Sequence, residues 1–192
     1  MTRKQTLAAT QRELRRAGSV SARIAELNPE RDFLEIYRLH ALGDFPWDTT
    51  RALELALFRT YCVPSIGALL HATREFQQRG QLRYEDTGLL LSLVLEHGFT
   101  ERGLAALRRI NQIHGRFAIA NQDMLYVLST FVSVPMRWLE RFGWRPLLPA
   151  ERIASHNYYR ELGTHMGIRD IPPTWQQLLE LGDDFERTHF RF

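Results

Sequence analysis

The chain has 192 residues, of which 44% are hydrophobic and 24% are charged, and this composition excludes a disordered protein and is typical of one globular domain. Its single cysteine, Cys62, excludes a disulfide within the chain and a zinc site built on several thiolates. We expect a reducing compartment such as the cytoplasm. The net charge is +3, but acidic residues are interleaved with the arginines, so we do not expect a nucleic-acid partner.

The N-terminal residues 1–27 are polar and are expected to form a helix or an arm, followed by one helical domain over residues 28–192. The first residues lack the apolar segment of a secretory signal peptide. The longest apolar runs, LLLSLVL and MLYVLSTFVSVPM, are shorter than the roughly 20 residues that a membrane-spanning helix needs. The sequence therefore predicts no transmembrane segment.

Helical patterns follow one another along the chain, separated by proline, glycine and capping residues. We expect starts at Pro29, Pro46, Pro64, Asp86 or Thr87, Glu101 and Asn121, ends at about Ala41, Gly80, Gly98 and Gly143, and two further helices in the C-terminal quarter. No alternating strand pattern interrupts them. The fold class is therefore predicted to be all-α, a single-domain bundle of about seven to nine helices.

The helix that starts at Asn121 has the widest apolar arc and should be the most buried. It also carries a polar stripe, formed by Tyr126, Thr130, Ser133 and Arg137. Two interpretations of this stripe stay open, a solvated face and the wall of a pocket. Pro135 removes one backbone donor from the helix, so we expect a kink near the stripe.

The usual catalytic motifs are absent: the sequence has no HExxH, no phosphate-binding loop, no nucleophile elbow and no histidine pair at helical spacing. One histidine stands out, because His114 falls between Leu107 and Ile110 on the apolar arc of its helix. Such a residue is commonly a core histidine bonded to a backbone carbonyl. The alternative is a ligand of a flat, apolar cofactor such as haem, which takes a neutral imidazole from an apolar wall.

A haem would also need cations for its two carboxylates, and arginine suits carboxylates because of its forked donors. Arg109 and Arg116 lie close to His114 in sequence, and Arg137 lies on the next helix. We take these three arginines, together with Tyr126, as candidate cofactor-binding residues.

Several segments carry a resemblance to a known family. They are FPWD, ALFRTYCVPSIGALL, LRYEDTGLLL, GLAALRRINQIHGRFAIANQDMLYVLSTFVSVPMRWLERFGWRPL and the terminal HFRF. In these segments the chain resembles the oxygenases that group a mycophenolic-acid pathway enzyme with the latex-clearing rubber oxygenases. The resemblance implies a globin-like helical core, dioxygen as a substrate and cleavage of a carbon–carbon double bond in an isoprenoid chain. In the rubber-oxygenase branch it also implies haem b.

The resemblance assigns roles to individual residues. His114 matches the axial histidine of the family, and Arg83 with Thr87 matches a distal Arg-x-x-x-Thr pattern. Asp86 stands where rubber oxygenases have a lysine, which makes this side of the site less cationic or supplies a base. Asn111 stands where they have an arginine.

These observations lead to two functional hypotheses. The first is a haem b-dependent oxygenase that oxidises or cleaves a hydrophobic, isoprenoid-like alkene, with His114 as the metal ligand and Arg83, Thr87 and Asp86 as catalytic residues. The second is a non-catalytic helical domain that binds an apolar ligand or a partner, with His114 a structural core residue.

Overall fold

The structure is a computed structural model that describes Gly18 and residues 20–190, and in this part of the chain it contains nine α-helices and no β-strand. The first, α1, is described over residues 20–25. The others are α2 (Phe33–Arg38), α3 (Pro46–Arg59), α4 (Pro64–Thr73), α5 (Glu75–His97), α6 (Glu101–His114), α7 (Asn121–Phe142), α8 (Pro149–His165) and α9 (Trp175–His189). A π-helical segment, Leu39–Asp44, continues α2, and a 3₁₀ turn, Thr60–Cys62, continues α3. The predicted all-α, single-domain bundle is confirmed.

Helix α7 forms the centre of the bundle and packs against α3, α8 and α9. Leu128, Val132 and Leu139 are buried on it and join the main core cluster. This burial follows from the wide apolar arc of the sequence, because a helix packed on several sides has little solvated surface. The helix continues as one element through Pro135.

Two glycines let the neighbouring helices approach α7 closely. A Cβ atom at Gly163 of α8 would lie 2.7 Å from Leu128 Cδ2, and one at Gly182 of α9 would lie 2.7 Å from Ser129 Oγ. Both distances are shorter than ordinary van der Waals contact, so a larger residue would force the Leu128 or Ser129 side chain to move. The small residues therefore set the spacing of the α7–α8 and α7–α9 pairs.

The second helix begins later than predicted. Asn28 Oδ1 accepts hydrogen bonds from the backbone N–H groups of Glu30 (2.9 Å) and Arg31 (3.3 Å), which stabilises a turn. Helix α2 starts only at Phe33. Asn28 does act as a capping residue, as the sequence predicted, but it caps this turn and not helix α2.

The prediction of a new helix start at Asp86 or Thr87 was wrong. The predicted stop at Gly80 lies next to a kink, because Arg79 leaves helical geometry with φ −143° and ψ 39°. Helix α4 ends earlier, because Arg74 adopts a left-handed backbone conformation with φ 57°. Helix α5 then continues past Gly80 to the predicted end at Gly98.

Local side-chain pairs stabilise both parts of α5. Arg79 Nη2 lies 2.6 Å from Glu75 Oε1 before the kink, and Gln81 Nε2 lies 2.7 Å from Glu85 Oε1 after it. Such pairs stabilise a helix by roughly 0.2–0.5 kcal/mol each, so the two together offset part of the roughly 0.8–1.0 kcal/mol that one glycine costs it. The backbone leaves helical angles only at Arg79.

The polar N-terminal part is described from residue 20 onwards, apart from Gly18. Ile24 is fully buried and packs against Ile36 and Ala154. Residues 1–17 and residue 19, most of the predicted arm, lie outside the described residues. The proposed boundary at residue 27 stays a prediction.

In the described part of the chain, no single helix has both the length and the apolar composition to cross a membrane. The helix pair formed by Pro46–Cys62 and Pro64–Thr73 has the required length and apolar composition when both are taken together, but it is bent by 101°.

A buried ionic network joins the π-helical segment to the start of α8. Arg145 Nη2 lies 2.6 Å from Asp44 Oδ2 and 2.5 Å from Glu151 Oε1, and the Glu151 side chain is 0% exposed. Glu151 also accepts a 2.6 Å hydrogen bond from the backbone N–H of Leu148, which caps α8. His40 Nδ1 lies 3.7 Å from the Glu151 carboxylate and has no hydrogen-bond partner among the described residues.

This environment predicts a pH-dependent stability. Burial lowers the pKa of His40 from 6.5 to about 4, although the Glu151 carboxylate opposes the shift. The unfolded chain therefore binds more protons than the folded chain between these two values. The stabilisation from a neutral His40 is complete above about pH 6.5 and is lost as the pH falls toward 4.

We expect urea unfolding to show a smaller free energy at about pH 5 than at about pH 7, with a His40 contribution of up to about 1.4 kcal/mol per pH unit. In His40→Gln the change of unfolding free energy with pH should be smaller. Burial also lowers the pKa values of His114 and His156, but these two residues contribute equally in the variant and the wild type. Identical pH slopes in the variant and the wild type would contradict this explanation.

Candidate functional site

His114 is the last residue of α6 and is half-buried. The helix begins after Thr100, and Ala106 and Leu107 on its apolar arc are buried against the core. This arc carries the imidazole inward, as the sequence predicted. Nδ1 of His114 is buried and has no hydrogen-bond partner among the described residues. That nitrogen therefore lacks the carbonyl contact that a structural core histidine would make.

Electrostatics keep this imidazole neutral. Burial lowers the pKa of His114, and the positive charge of Arg83 lowers it further. A neutral imidazole has a lone pair available for a metal ion or a proton, whereas a protonated one has none. His114 is thus in the protonation state that a metal ligand requires.

Arg83 and Thr87 lie one turn apart on α5, which packs directly against α6. Arg83 Nη1 donates a 2.6 Å hydrogen bond to Thr87 Oγ1, and Thr87 Oγ1 donates a 2.8 Å hydrogen bond to the backbone oxygen of Arg83. The charge of Arg83 acts on His114 and also on Tyr61. The structure therefore brings Arg83 and Thr87 to the His114 side of the α5–α6 pair.

Asp86, the third predicted catalytic residue, lies on the same helix but is exposed. It makes no hydrogen bond or ion pair with another described residue.

A cavity of about 390 Å³ opens beside His114. It lies between the end of α6, the start of α7 and the loop that follows α8. The residues that matter most for its chemistry are His114, Phe117, Ile119, Met124, Ile168 and Arg169. Its size is at the lower end of the range for small-molecule sites, and its wall combines apolar side chains with an imidazole and a cation.

Two asparagines form hydrogen bonds between the elements around this cavity. Asn121 Oδ1 accepts a 2.9 Å hydrogen bond from the backbone N–H of Arg169, and Asn121 Nδ2 donates a 3.2 Å hydrogen bond to the backbone oxygen of Arg169. Asn111 Nδ2 donates a 2.9 Å hydrogen bond to the backbone oxygen of His165. Asn111, which replaces an arginine of the rubber oxygenases, therefore connects α6 to the end of α8.

The four predicted cofactor-binding residues do not line this cavity. Arg109 and Arg116 are exposed. Arg137 lies on the surface and pairs with Asp183, with 2.7 Å between Nη2 and Oδ2. Tyr126 is fully buried in a separate cluster. The structure places none of these four residues on the cavity wall beside His114, and their assignment stays a prediction. The predicted catalytic residues Arg83, Asp86 and Thr87 do not line this cavity either, and their assignment also stays a prediction.

The polar stripe of α7 is mostly buried in the interface with α9. Tyr126 donates a 3.0 Å hydrogen bond to Glu186 Oε1 and stacks on Phe185 with 4.6 Å between the ring centroids. Thr130 and Ser133 are also buried, so the solvated-face interpretation is wrong for these three residues. Only Arg137 of the stripe is exposed.

Sequence reasoning missed Arg169. Arg169 is exposed and lines the cavity, and its side chain has no hydrogen-bond or ion-pair partner among the described residues. It lies 55 positions after His114 (169 − 114) in a loop without helical periodicity, so no pattern connects the two residues. Only the packing of the loop against the start of α7 brings them to one cavity.

The chain matches a known protein family over most of its length. The family described as "ER-bound oxygenase mpaB/B'/Rubber oxygenase, catalytic domain" matches residues 52–192, which include Arg83, Thr87, His114 and Arg169. The chain belongs to this oxygenase family. The resemblance seen in the sequence is thereby confirmed. No solved structure matches the chain.

Individual relatives in the mpaB/rubber oxygenase family agree with this assignment. The "ER-bound oxygenase mpaB" of Penicillium roqueforti (strain FM164) is 33% identical over 159 residues, which cover 79% of this chain and 53% of that protein. The "ER-bound oxygenase mpaB" and "ER-bound oxygenase mpaB'" of Penicillium brevicompactum are each 33% identical over 152 residues, or 76% of this chain. They are covered to 38% and 36% of their own lengths. The chain thus spans about half or less of these curated relatives.

Among the residues that the structure describes, no three histidine, cysteine, aspartate or glutamate side chains are grouped so as to hold a metal ion together. A metal ligand in this part of the molecule would have to be an isolated side chain such as His114.

Proposed function

We propose that this chain is a haem b-dependent oxygenase that uses dioxygen to oxidise or cleave a hydrophobic, isoprenoid-like alkene. One observation carries the proposal: His114 combines a position beside a partly apolar cavity with a buried Nδ1 that has no hydrogen-bond partner among the described residues. Haem iron in proteins is commonly held by one histidine imidazole. Family membership supports the oxygenase part of the proposal.

The residues beside His114 fit a haem. Burial and the charge of Arg83 keep the imidazole neutral, as an iron ligand must be. Phe117, Ile119 and Met124 offer apolar contacts to a macrocycle that is itself apolar. A bound haem would supply the dioxygen and one-electron chemistry that amino-acid side chains cannot perform.

The role of Arg83 in this proposal is to stabilise negative charge that develops on oxygen during the reaction. Its hydrogen bond to Thr87 holds the guanidinium in one orientation, so little reorganisation is needed when the charge appears. Thr87 acts as a positioning residue through this contact. Asp86, which is exposed and directly precedes Thr87 on α5, is the candidate acceptor for a proton from an allylic carbon.

The apolar side chains of the cavity have a second role, since they offer contact area to the reacting alkene. An alkene offers no hydrogen bonds, so its binding depends on contact with side chains such as Ile119, Met124 and Ile168. Shape and apolar contact would therefore select the substrate, and the chain length of the alkene would affect affinity more than its polar substituents.

Arg83→Ala is expected to keep hemin binding within about twofold of the wild type but to lower alkene-dependent dioxygen uptake about 100-fold, the usual effect of removing one preorganised donor. Hemin occupancy is read from the Soret absorbance per chain, and uptake with an oxygen electrode and a short polyisoprenoid. Arg79→Ala is the matched control, because Arg79 is an exposed arginine on the same helix.

Equal oxygen uptake in Arg83→Ala and the wild type would remove Arg83 from the mechanism. A wild-type chain that binds the polyisoprenoid but consumes no dioxygen after loading with hemin would favour the alternative function, a non-catalytic domain for an apolar ligand. The apolar wall of the cavity is the observation that makes this alternative specific.

A further inference from the structure

We propose that Arg169 is a carboxylate anchor and that the cavity beside His114 therefore binds an apolar molecule that carries a carboxylate. Two sources offer this chemistry: the propionate groups of a haem and the acid group of a free apolar ligand. In the first case the inference rests on the proposed function, and in the second it does not.

The first support is the state of the guanidinium. Several arginines of the molecule are engaged: Arg59 pairs with Glu186, Arg137 with Asp183 and Arg145 with Glu151. Arg102, Arg109 and Arg116 also lack an ion-pair partner among the described residues, but they do not line the cavity beside His114. The Arg169 side chain has no such partner among the described residues, yet it lines a cavity. A cation at the edge of an apolar cavity attracts an anion, and the forked donors of arginine match a carboxylate in particular.

The second support is the rigidity of its attachment. Both backbone polar groups of Arg169 bind the side chain of Asn121, at the first residue of α7. This fixes the start of the side chain next to the N-terminus of a 22-residue helix, where unpaired N–H groups also favour negative charge. A fixed anchor loses less conformational entropy when a ligand binds.

The neighbouring acidic residues leave this charge available. Asp170 is exposed and has a left-handed backbone conformation, with φ 62°. Asp123 is buried on the first turn of α7. Neither residue lines the cavity, and neither makes an ion pair with Arg169. Arg169 therefore contributes the charge on the cavity wall.

The third support is the rest of the wall. Phe117, Ile119, Met124 and Ile168 surround the space next to Arg169. These residues offer nothing to a small inorganic anion, which would prefer to stay hydrated. An amphipathic acid can use both parts of the wall, since its apolar body removes these side chains from water while its carboxylate meets the guanidinium.

The experiment compares each acid with its ester. Hemin and hemin dimethyl ester test the propionate source, and palmitate and methyl palmitate test a free acid. All four are titrated into the wild type, Arg169→Ala and Arg169→Gln, with absorbance for the porphyrins and calorimetry for the lipids. Arg102→Ala is the control, since Arg102 is exposed and does not line the cavity.

In at least one acid–ester pair, we expect Arg169→Ala to weaken the acid at least about tenfold and the ester less than twofold, because a hydrogen bond to a charged group is lost only with the acid. The responding pair identifies the source. Arg169→Gln should behave like Arg169→Ala, and Arg102→Ala like the wild type. Circular dichroism of each variant verifies that it is folded.

Two results would overturn the inference: equal weakening of acid and ester in both pairs, and no effect of either Arg169 variant on any probe. If neither Arg169 variant affects any probe but the wild type binds hemin tightly, the proposed function still stands. Conversely, a wild type that binds no hemin but binds palmitate in an Arg169-dependent manner would refute the haem proposal and support the carboxylate anchor.

Discussion

Replacing His114 with alanine is expected to weaken hemin binding by at least about 100-fold, because even the loss of residues that only orient a metal ligand costs 10- to 100-fold. The measurement is a titration with hemin that follows the Soret band. His114→Gly should behave in the same way, and imidazole added to the buffer should restore part of the absorbance. The added imidazole would occupy the space of the deleted side chain.

A matched control separates this effect from a general loss of histidine. His71 is exposed on α4, and its ring nitrogen bonds to Gln77. His71→Ala should therefore bind hemin like the wild type. Unchanged hemin affinity in His114→Ala would exclude His114 as the ligand, and failure of imidazole rescue in folded His114→Gly would weaken the same conclusion.

Arg145→Met should destabilise the folded protein by about 3–5 kcal/mol, because it removes the charge that compensates a buried carboxylate. The Glu151 side chain is 0% exposed and that of Asp44 is 2% exposed, and both lie within 2.6 Å of Arg145. The substitution also removes a guanidinium that lies 4.8 Å from the ring centroid of Phe45. Urea unfolding followed by circular dichroism measures the change.

Arg137→Ala provides the comparison on the surface. The Arg137–Asp183 pair is 45% and 38% exposed, and such pairs contribute about 0–1 kcal/mol. A loss of less than about 1 kcal/mol in Arg145→Met, equal to that in Arg137→Ala, would show that the buried carboxylates accept protons or water instead.

The helix boundaries that the sequence predicted well are those with strong local chemistry. Pro46 and Pro64 start helices because proline suits the first turn, and Gly98 ends one with a left-handed backbone conformation, φ 62°. At Gly80 the signal was only partly followed: the backbone leaves helical angles at the preceding residue, Arg79, and the helix then resumes, because one glycine costs a helix only modestly.

The candidate site was only partly predictable, for similar reasons. Helical periodicity placed His114 correctly, and the spacing of Arg83 and Thr87 allowed contact once both lay on one helix. Tyr126 is buried because α9, about 60 residues away in sequence, packs over it. Helical periodicity does not reveal how two such distant helices align. Arg169 reaches the cavity through a loop, where local patterns carry the least structural information.

Two residues near the candidate site have structural roles. Asn111, which stands where the resemblance places an arginine, connects α6 to the end of α8 through the backbone oxygen of His165. Leu128 packs in the main core against Gly163. Leu128 thus contributes to packing, and His114 stays the isolated histidine beside the cavity.

The most direct test of the proposed function is a hemin titration of the purified wild-type chain, followed by its absorption spectrum. A haem held by His114 predicts saturable binding of one hemin per chain, with a Soret band that shifts from that of free hemin and persists through gel filtration. Weak, non-saturating absorbance that is lost on gel filtration would contradict a haem-dependent oxygenase.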